Sequence, residues 1–423
     1  MHYGWSAPVL PILRSENTPV PITRNDETWL ESAYLLAGLA AIPVTAYLVD
    51  KIGRKKSIMT ASCIALTSWI IIAFATTVNW LYLARVLSGM SEDMANIATP
   101  MYISEIADQN IRGFLVGFNF FMMIFGILLI YSIAPFTPYY APSLIGGTLI
   151  ILQFALSFFI PTSPYFLLNN NKKREAKKSL RRLRSGKDEN DELENIIKAI
   201  ERQKIERGKV QDLVLIKSNR KGVMIITVLC VCQHFSGFSV IVMNVHTILS
   251  STGSVYLKSE YTGIASAALM LLGAAVGIFC VDKFGRKTLL VISSVLTMFC
   301  LVNMINVSWI PVVSILTFNF TFKLGLAFVP QILASELFSS QIKAVGMAFG
   351  DTMFIIFSSL SVIFYQYFSQ YYGIYVPLYA FAAVSFSTAI FTIFVVPETK
   401  GKTLEEIQLM LKGEIFRMPN DST

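Results

Sequence analysis

Eleven runs in this 423-residue chain are long and apolar enough to cross a bilayer, and they constrain its fold more than any other feature. A spanning helix needs about 20 mostly apolar residues. Inside hydrocarbon every backbone N–H and C=O must be bonded within the segment, which selects helices. The runs are Trp29–Val49, Ser57–Thr77, Leu81–Ile106, Phe114–Ile133, Ser143–Ile160, Gly222–Ser250, Tyr261–Val281, Thr288–Val307, Ile310–Leu337, Val345–Tyr367 and Ile374–Val396. The fold class they imply is an all-α, polytopic membrane protein. The chain is 15% charged, against about 25% in a soluble domain. That deficit excludes a disordered tail protein, a nucleic-acid binder and a disulfide scaffold. All five cysteines lie in apolar runs and read as small hydrophobes rather than bridges or ligands.

One long polar interruption, Pro161–Lys221, separates two hydrophobic blocks and is helix-prone at Lys172–Leu183 and Asp191–Arg207. The expected organisation is an N-terminal bundle over 1–160, a helical linker over 161–221, a C-terminal bundle over 222–396 and a tail over 397–423. Lysine and arginine set the orientation. If every run crosses once, 30 of the 35 basic residues fall on one side, 17 of them in the linker. That side is expected to be cytoplasmic, in a multi-pass protein of the plasma membrane. The net charge of +8 is then a matter of topology, and the linker is placed to meet anionic lipid. An odd number of crossings puts Met1 outside, and Met1–Leu13 is too short to read as a signal peptide.

The two blocks repeat one another. Asp50-Lys-Ile-Gly-Arg-Lys and Asp282-Lys-Phe-Gly-Arg-Lys lie 232 residues apart. Glu105 stands seven residues before Arg112, and Glu336 seven before Lys343, an offset of 231. Pro161-Thr-Ser-Pro and Pro397-Glu-Thr-Lys are offset by 236. Parallel duplicated bundles are a transporter architecture, with the site between repeats near the midplane. The second half holds six runs and the first five, so the repeat predicts a further helix ahead of Trp29.

The repeated motif has a local physical reading. Its glycine permits a tight turn. Asp50 and Asp282 are placed to hold the next helix N-terminus. Arg54 and Arg286 are placed to reach Glu105 and Glu336. Ion pairs of this kind, with Arg112, Lys343 and Glu398 beside them, close a cytoplasmic gate and break when it opens. A single copy would read as a solvated loop obeying the charge rule; two in register favour the gate.

On these residues the chain resembles the sugar porter family of the major facilitator superfamily. The resemblance rests also on Arg85-x3-Gly89, Pro100-Met-Tyr-Ile-Ser-Glu105, Arg112-Gly113, Gln233-x2-Ser236-Gly237, Ser335-Glu336-Leu-Phe and Pro397-Glu-Thr-Lys-Gly-Lys-Thr-Leu-Glu-Glu-Ile407. It covers the whole chain. The opening Gly4-Trp-Ser-Ala-Pro and Trp29-Leu-Glu-Ser look most like the insect facilitated trehalose transporters. The resemblance implies a two-bundle major facilitator fold, here with 11 of the usual 12 transmembrane helices. It also implies cavity-lining helices one, four, seven and ten, and sugar movement by alternating access. The Gly-Trp segment would be the end of helix one, most of which the chain lacks.

The sugar contacts depart from the family more than the scaffold does. The helix-seven motif Gln-Gln-x-Ser-Gly-x-Asn is Gln233-His234-Phe235-Ser236-Gly237-Phe238-Ser239. The two positions usually aromatic further on are Met243 and Asn244, a helix-five glutamine is Phe120, and the helix-ten Pro-Trp is Pro330-Gln331. Each sugar hydroxyl gives up water on entry and needs a partner worth about 0.5–1.5 kcal/mol net. Gln233, His234, Ser239, Asn244 and Gln331 remain as candidate contacts; the competing reading of each is an interhelical hydrogen bond. The Pro-Glu-Ser-Pro-Arg that usually follows helix six is Pro161-Thr-Ser-Pro-Tyr165, so the first half's network is expected to be the weaker.

Charges inside spans are costly and mark candidate functional sites. Arg85 lies near the outer end of helix four; in proton-coupled relatives such an arginine pairs with an acid on helix one. Glu92 precedes Glu105 by 13 residues and Lys323 precedes Glu336 by 13, so the two are repeat-related. Glu92 or Asp93 is expected to meet Lys323 as an ion pair, with Asp351 a rival partner. No histidine pair, Cys/His cluster or Gly-rich phosphate loop occurs, so no enzyme, metal or cofactor is expected. The expected partners are the bilayer and a small solute, with no nucleic acid and no oligomer implied. The leading expectation is carriage of trehalose or a hexose, facilitative or proton-coupled. A non-transporting sugar sensor and a carrier of a charged organic solute are the alternatives.

Overall fold

The computed structural model describes residues 1–15, 18, 20–107, 112–184, 193–194, 196–198, 200–201, 211–251, 259–304, 309–338, 342–402 and 404–412. In chain order its helices are α1 (Ser6–Leu13), α2 (Arg24–Lys51), α3 (Arg54–Phe74), α4 (Val78–Ile106), α5 (Arg112–Ile133) and α6 (Ala141–Ser157). Two short ones follow in the linker, α7 (Pro164–Asn169) and α8 (Lys173–Arg184). The second half holds α9 (Asp212–Leu215), α10 (Lys217–His234), α11 (Phe238–Ser251), α12 (Ser259–Phe284) and α13 (Arg286–Asn303). It continues with α14 (Ile310–Leu324), α15 (Val329–Glu336), α16 (Lys343–Tyr372), α17 (Tyr375–Phe394) and α18 (Leu404–Lys412).

Each of the eleven apolar runs falls on these helices. Nine stretches among the described residues are long and apolar enough to cross a membrane. The other two are α6, which is 17 residues long, and α4, whose apolar run is interrupted by Arg85, Glu92 and Asp93. Two runs are broken rather than continuous. The run Gly222–Ser250 divides into α10 and α11 at Phe235–Gly237, where Gly237 takes φ +86° beneath the Phe381 ring. The run Ile310–Leu337 divides into α14 and α15 where Gly325 packs on the Leu289 carbonyl. Outward-facing Phe74, Phe279 and Phe394 are exposed, as side chains meant for lipid must be.

The chain forms two compact units, Met1–Glu206 and Arg207–Thr423, divided inside the polar stretch. In the first unit α2, α3 and α4 pack together and α6 lies on α3. Small residues bring the axes close. Gly89 of α4 lies against the Tyr34 backbone, and Gly146 of α6 against the Trp69 ring. The amphipathic α8 buries Ala176 and Leu180 against Leu167, Leu193, Ile196 and Ile200 of the linker itself, and this part of the linker belongs to the first unit. In the second unit α13 packs on α14 and α17, α12 on α14, and α10 on α16 and α18.

Candidate functional site: two repeated triads and a broken-helix cluster

The repeated turns have nearly the same backbone. Gly53 (φ +89°) and Gly285 (φ +91°) open α3 and α13 in a conformation that side chains resist. In the first unit this turn delivers Arg54 to α4, and its Nε donates to Glu105 Oε1 at 2.7 Å. The other Glu105 oxygen accepts from the Ser163 hydroxyl. In the second unit Arg286 lies 3.1 Å from Glu336 Oε1, and the other Glu336 oxygen accepts from the Thr399 hydroxyl. Ser163 and Thr399 are 236 residues apart, the offset of the proline motifs that contain them. Each half therefore holds an arginine–glutamate–hydroxyl triad in which both carboxylate oxygens are satisfied. The two hydroxyls were not among the candidates picked from the sequence, although the shared offset points to them.

The triads differ in one respect. Glu398 accepts from the backbone N–H of Arg286 and of Lys287, both at 3.0 Å, and so closes the exposed N-terminus of α13. Its position in the first half is Thr162, which carries no charge. Burial raises the Glu398 carboxyl, but the N–H groups of Lys400, Arg286, Lys287 and Thr399 outweigh it and hold the group below the ordinary glutamate range.

Asp50 does not cap α3. No side chain hydrogen-bonds at the Gly53 cap, and the Asp50 carboxylate stands exposed, 3.8 Å from Arg54. Its neighbour Glu105 offers Arg54 a nearer and drier partner, which explains the choice. The side chains of Arg112, Asp282 and Lys343 lie outside the described residues.

In the second unit the two helix breaks are tied together. Gln233, at the end of α10, donates from Nε2 to the carbonyl of Ala327 in the second break at 2.8 Å. Its buried Oε1 has no hydrogen-bond partner among the described residues, and neither has His234 Nε2. His234 Nδ1 lies 3.2 Å from Ser239 Oγ, which lies 2.9 Å from Ser358 Oγ on α16. Asn244 sits at a kink in α11, donates to the Val240 carbonyl and accepts from Gln366 at 3.4 Å. Ser239 and Asn244 thus join helices, while Gln233 keeps a buried acceptor unused and Gln331 is half-buried. Phe238 stacks on Phe322 at 4.6 Å to form an aromatic floor beside the breaks.

The intramembrane charges are housed differently. Arg85 is fully buried. It donates to the carbonyls of Leu30 and His2 and to Ser6 Oγ at 3.1–3.3 Å, with its guanidinium over Tyr34. Backbone oxygens, the Ser6 hydroxyl and a ring face hold it. Glu92 and Asp93 are half-buried on α4, and the missing Cβ of Gly38 leaves room for the Asp93 carboxylate. Lys323 is 6% exposed, with its Nζ 4.2 Å from the Phe238 ring centre. The rival partner Asp351, exposed on α16, forms no ion pair with it among the described residues, while Lys323 turns to the aromatic floor. Phe120 is exposed on α5 of the first unit. Among the described residues no three His, Cys, Asp or Glu side chains group as metal ligands.

The sequence profile described as "Sugar (and other) transporter" matches residues 8–411. The facilitated trehalose transporter Tret1 of Culex quinquefasciatus is 27% identical over 438 residues, covering 98% of this chain and 83% of that one. Tret1 of Bombyx mori is 28% identical over 440 residues, covering 100% and 86%. Tret1 of Aedes aegypti is 27% identical, and the chain spans 53% of its length. Among solved structures, the inward-open xylose transporter XylE of E. coli shares the fold at a TM-score of 0.80 and 20% identity, over 97% of this chain and 96% of that one. XylE bound to 6-bromo-6-deoxy-D-glucose matches at 0.75, also 20% identical over 97% and 96%. The duplicated triads, the broken helices and the profile match over nearly the whole length agree: the chain belongs to the sugar (and other) transporter family, membrane carriers of the major facilitator fold rather than enzymes.

Proposed function

We propose that the protein carries a neutral sugar of the trehalose or hexose class across the plasma membrane by alternating access, with the linker and C-terminus cytoplasmic. The observation that carries this reading is the pair of repeat-related triads, Arg54–Glu105–Ser163 and Arg286–Glu336–Thr399. Two matched ionic latches, one per half, make a gate that opens when both break. Gln233, with an unused buried acceptor, and Gln331 are the proposed sugar contacts. The Tret1 relatives are named for trehalose, which favours that sugar as the first to test. Uptake of radiolabelled trehalose and glucose by cells lacking their own carriers is the test. Saturable uptake that falls when Gln233 becomes alanine supports the proposal, and uptake equal to that of empty-vector cells rejects it.

One observation favours a second reading, a carrier of an anionic organic solute. Lys323 is buried with an aromatic ring for company and no ion-paired carboxylate among the described residues of its own unit. Uronate inhibition of sugar uptake that vanishes in Lys323→Met supports this reading; inhibition unchanged in that variant removes it.

A further inference from the structure

The cytoplasmic-motif end of the first unit carries more positive charge than its latch uses. On α8 the buried face is Ala176 and Leu180, and the opposite face exposes Lys173, Arg174, Lys177, Lys178 and Arg182. None of these five is in an ion pair among the described residues. Beside α8 lies a cavity of about 130 Å³, lined by the Gly53 turn and by Lys55, Lys56, Thr162, Lys172 and Glu175. Glu175 is already paired with Lys172 at 3.4 Å, so the lining keeps a positive excess. The matching place in the second unit is filled from within the chain, by the Glu398 carboxylate on the N–H groups of Arg286 and Lys287. Thr162 supplies no such group to Arg54 and Lys55.

The height of this cavity is fixed by its neighbours. Lys55 Nζ donates to the carbonyl of Ile160 at 2.7 Å. Ile160 ends a string of outward-facing apolar side chains, Leu152, Leu156, Phe158 and Phe159, that face lipid. The ammonium groups therefore stand where hydrocarbon gives way to headgroups. Clustered Lys and Arg just outside a spanning helix attract the anionic leaflet by about 1 kcal/mol per charge.

We propose that this end of the first unit binds anionic phospholipid headgroups, with the basic face of α8 on the leaflet surface and a headgroup phosphate in the cavity at the start of α3. The phosphate takes the role that Glu398 plays in the second unit. The proposal rests on the cytoplasmic placement of the linker given above, and the experiment keeps the two apart. Full-length protein is reconstituted in phosphatidylcholine vesicles containing phosphatidylserine, re-extracted, and its retained lipids are counted. Symmetric vesicles offer phosphatidylserine to both faces, so binding is read whatever the sidedness. Impermeant labelling of Lys198→Cys in intact cells reports sidedness separately.

The wild-type protein is expected to enrich phosphatidylserine over phosphatidylcholine. The triple variant Lys173→Glu, Lys177→Glu, Lys178→Glu should lower that enrichment by about tenfold or more. Thr162→Glu, which supplies the carboxylate from within, should lower it less, leaving the α8 face intact. Both variants are first shown to be monodisperse with the wild-type melting temperature. No enrichment in the wild type, or full enrichment in the triple variant, overturns the proposal. So does displacement of phosphatidylserine by inorganic phosphate at constant ionic strength, which would make this a site for a soluble anion.

Discussion

Arg54 and Glu105 are 11% and 13% exposed, and Asp50 is 75% exposed. Water and salt screen the Arg54–Asp50 contact and largely spare the other. A double-mutant cycle on Arg54→Gln and Glu105→Gln is expected to give a coupling of about 1–3 kcal/mol. Asp50→Asn should change stability by less than about 0.5 kcal/mol; thermal unfolding in detergent measures both. Glu398 makes a pH prediction with a definite sign. Its carboxyl is depressed in the folded protein, so its contribution is full above the ordinary glutamate range and is lost as pH falls through the depressed value. The melting temperature of Glu398→Gln should therefore converge on the wild-type value at acid pH and lie below it at neutral pH. Parallel curves at all pH values would show that the charge does nothing there.

At the scale of elements, the two glycine turns and the two helix breaks position the candidate site. A Cβ on Gly53 would meet the Phe166 ring at 2.8 Å, and one on Gly285 would meet Glu398 Oε2 at 2.6 Å. Both residues also have positive φ, so Gly53→Ala and Gly285→Ala should each destabilise by about 1–3 kcal/mol. Ser239 and Gln331 separate packing from binding. Ser239→Ala removes a bond between α11 and α16 and should cost about 1 kcal/mol of stability with KM unchanged. Gln331→Ala should leave the melting temperature alone and raise the transport KM. Helix positions were legible in the sequence because a hydropathy window senses long apolar runs directly. The breaks were not, since they depend on Gly237 meeting Phe381 and Gly325 meeting Leu289, approaches between residues distant in sequence. Arg54 and Glu105 could be paired from the repeat alone. Asp50 was misassigned as a cap because spacing says nothing about which of two nearby acids the arginine finds drier.

At the scale of the molecule, duplication is the organising fact. One turn, one latch and one following hydroxyl are built twice, and divergence has acted on what surrounds them. The second half keeps an internal carboxylate at its helix N-terminus; the first replaces it with Thr162 and adds a strongly basic α8. The core of each unit is helical and closely packed through small residues. The repeat and the pairing of Arg54 with Glu105 and of Arg286 with Glu336 were readable from spacing and charge. The housing of Arg85 and Lys323 was not, because which ring faces and carbonyls surround a cation depends on contacts between residues distant in sequence. The proposed function is carriage of a sugar through a doubly latched gate. Counterflow of radiolabelled trehalose and glucose into proteoliposomes is the decisive test, using the wild type and the variant Glu105→Gln, Glu336→Gln. The wild type should accumulate one of the two sugars saturably, and the folded double variant should not. Wild-type protein that is folded and moves neither sugar above protein-free liposomes would contradict it.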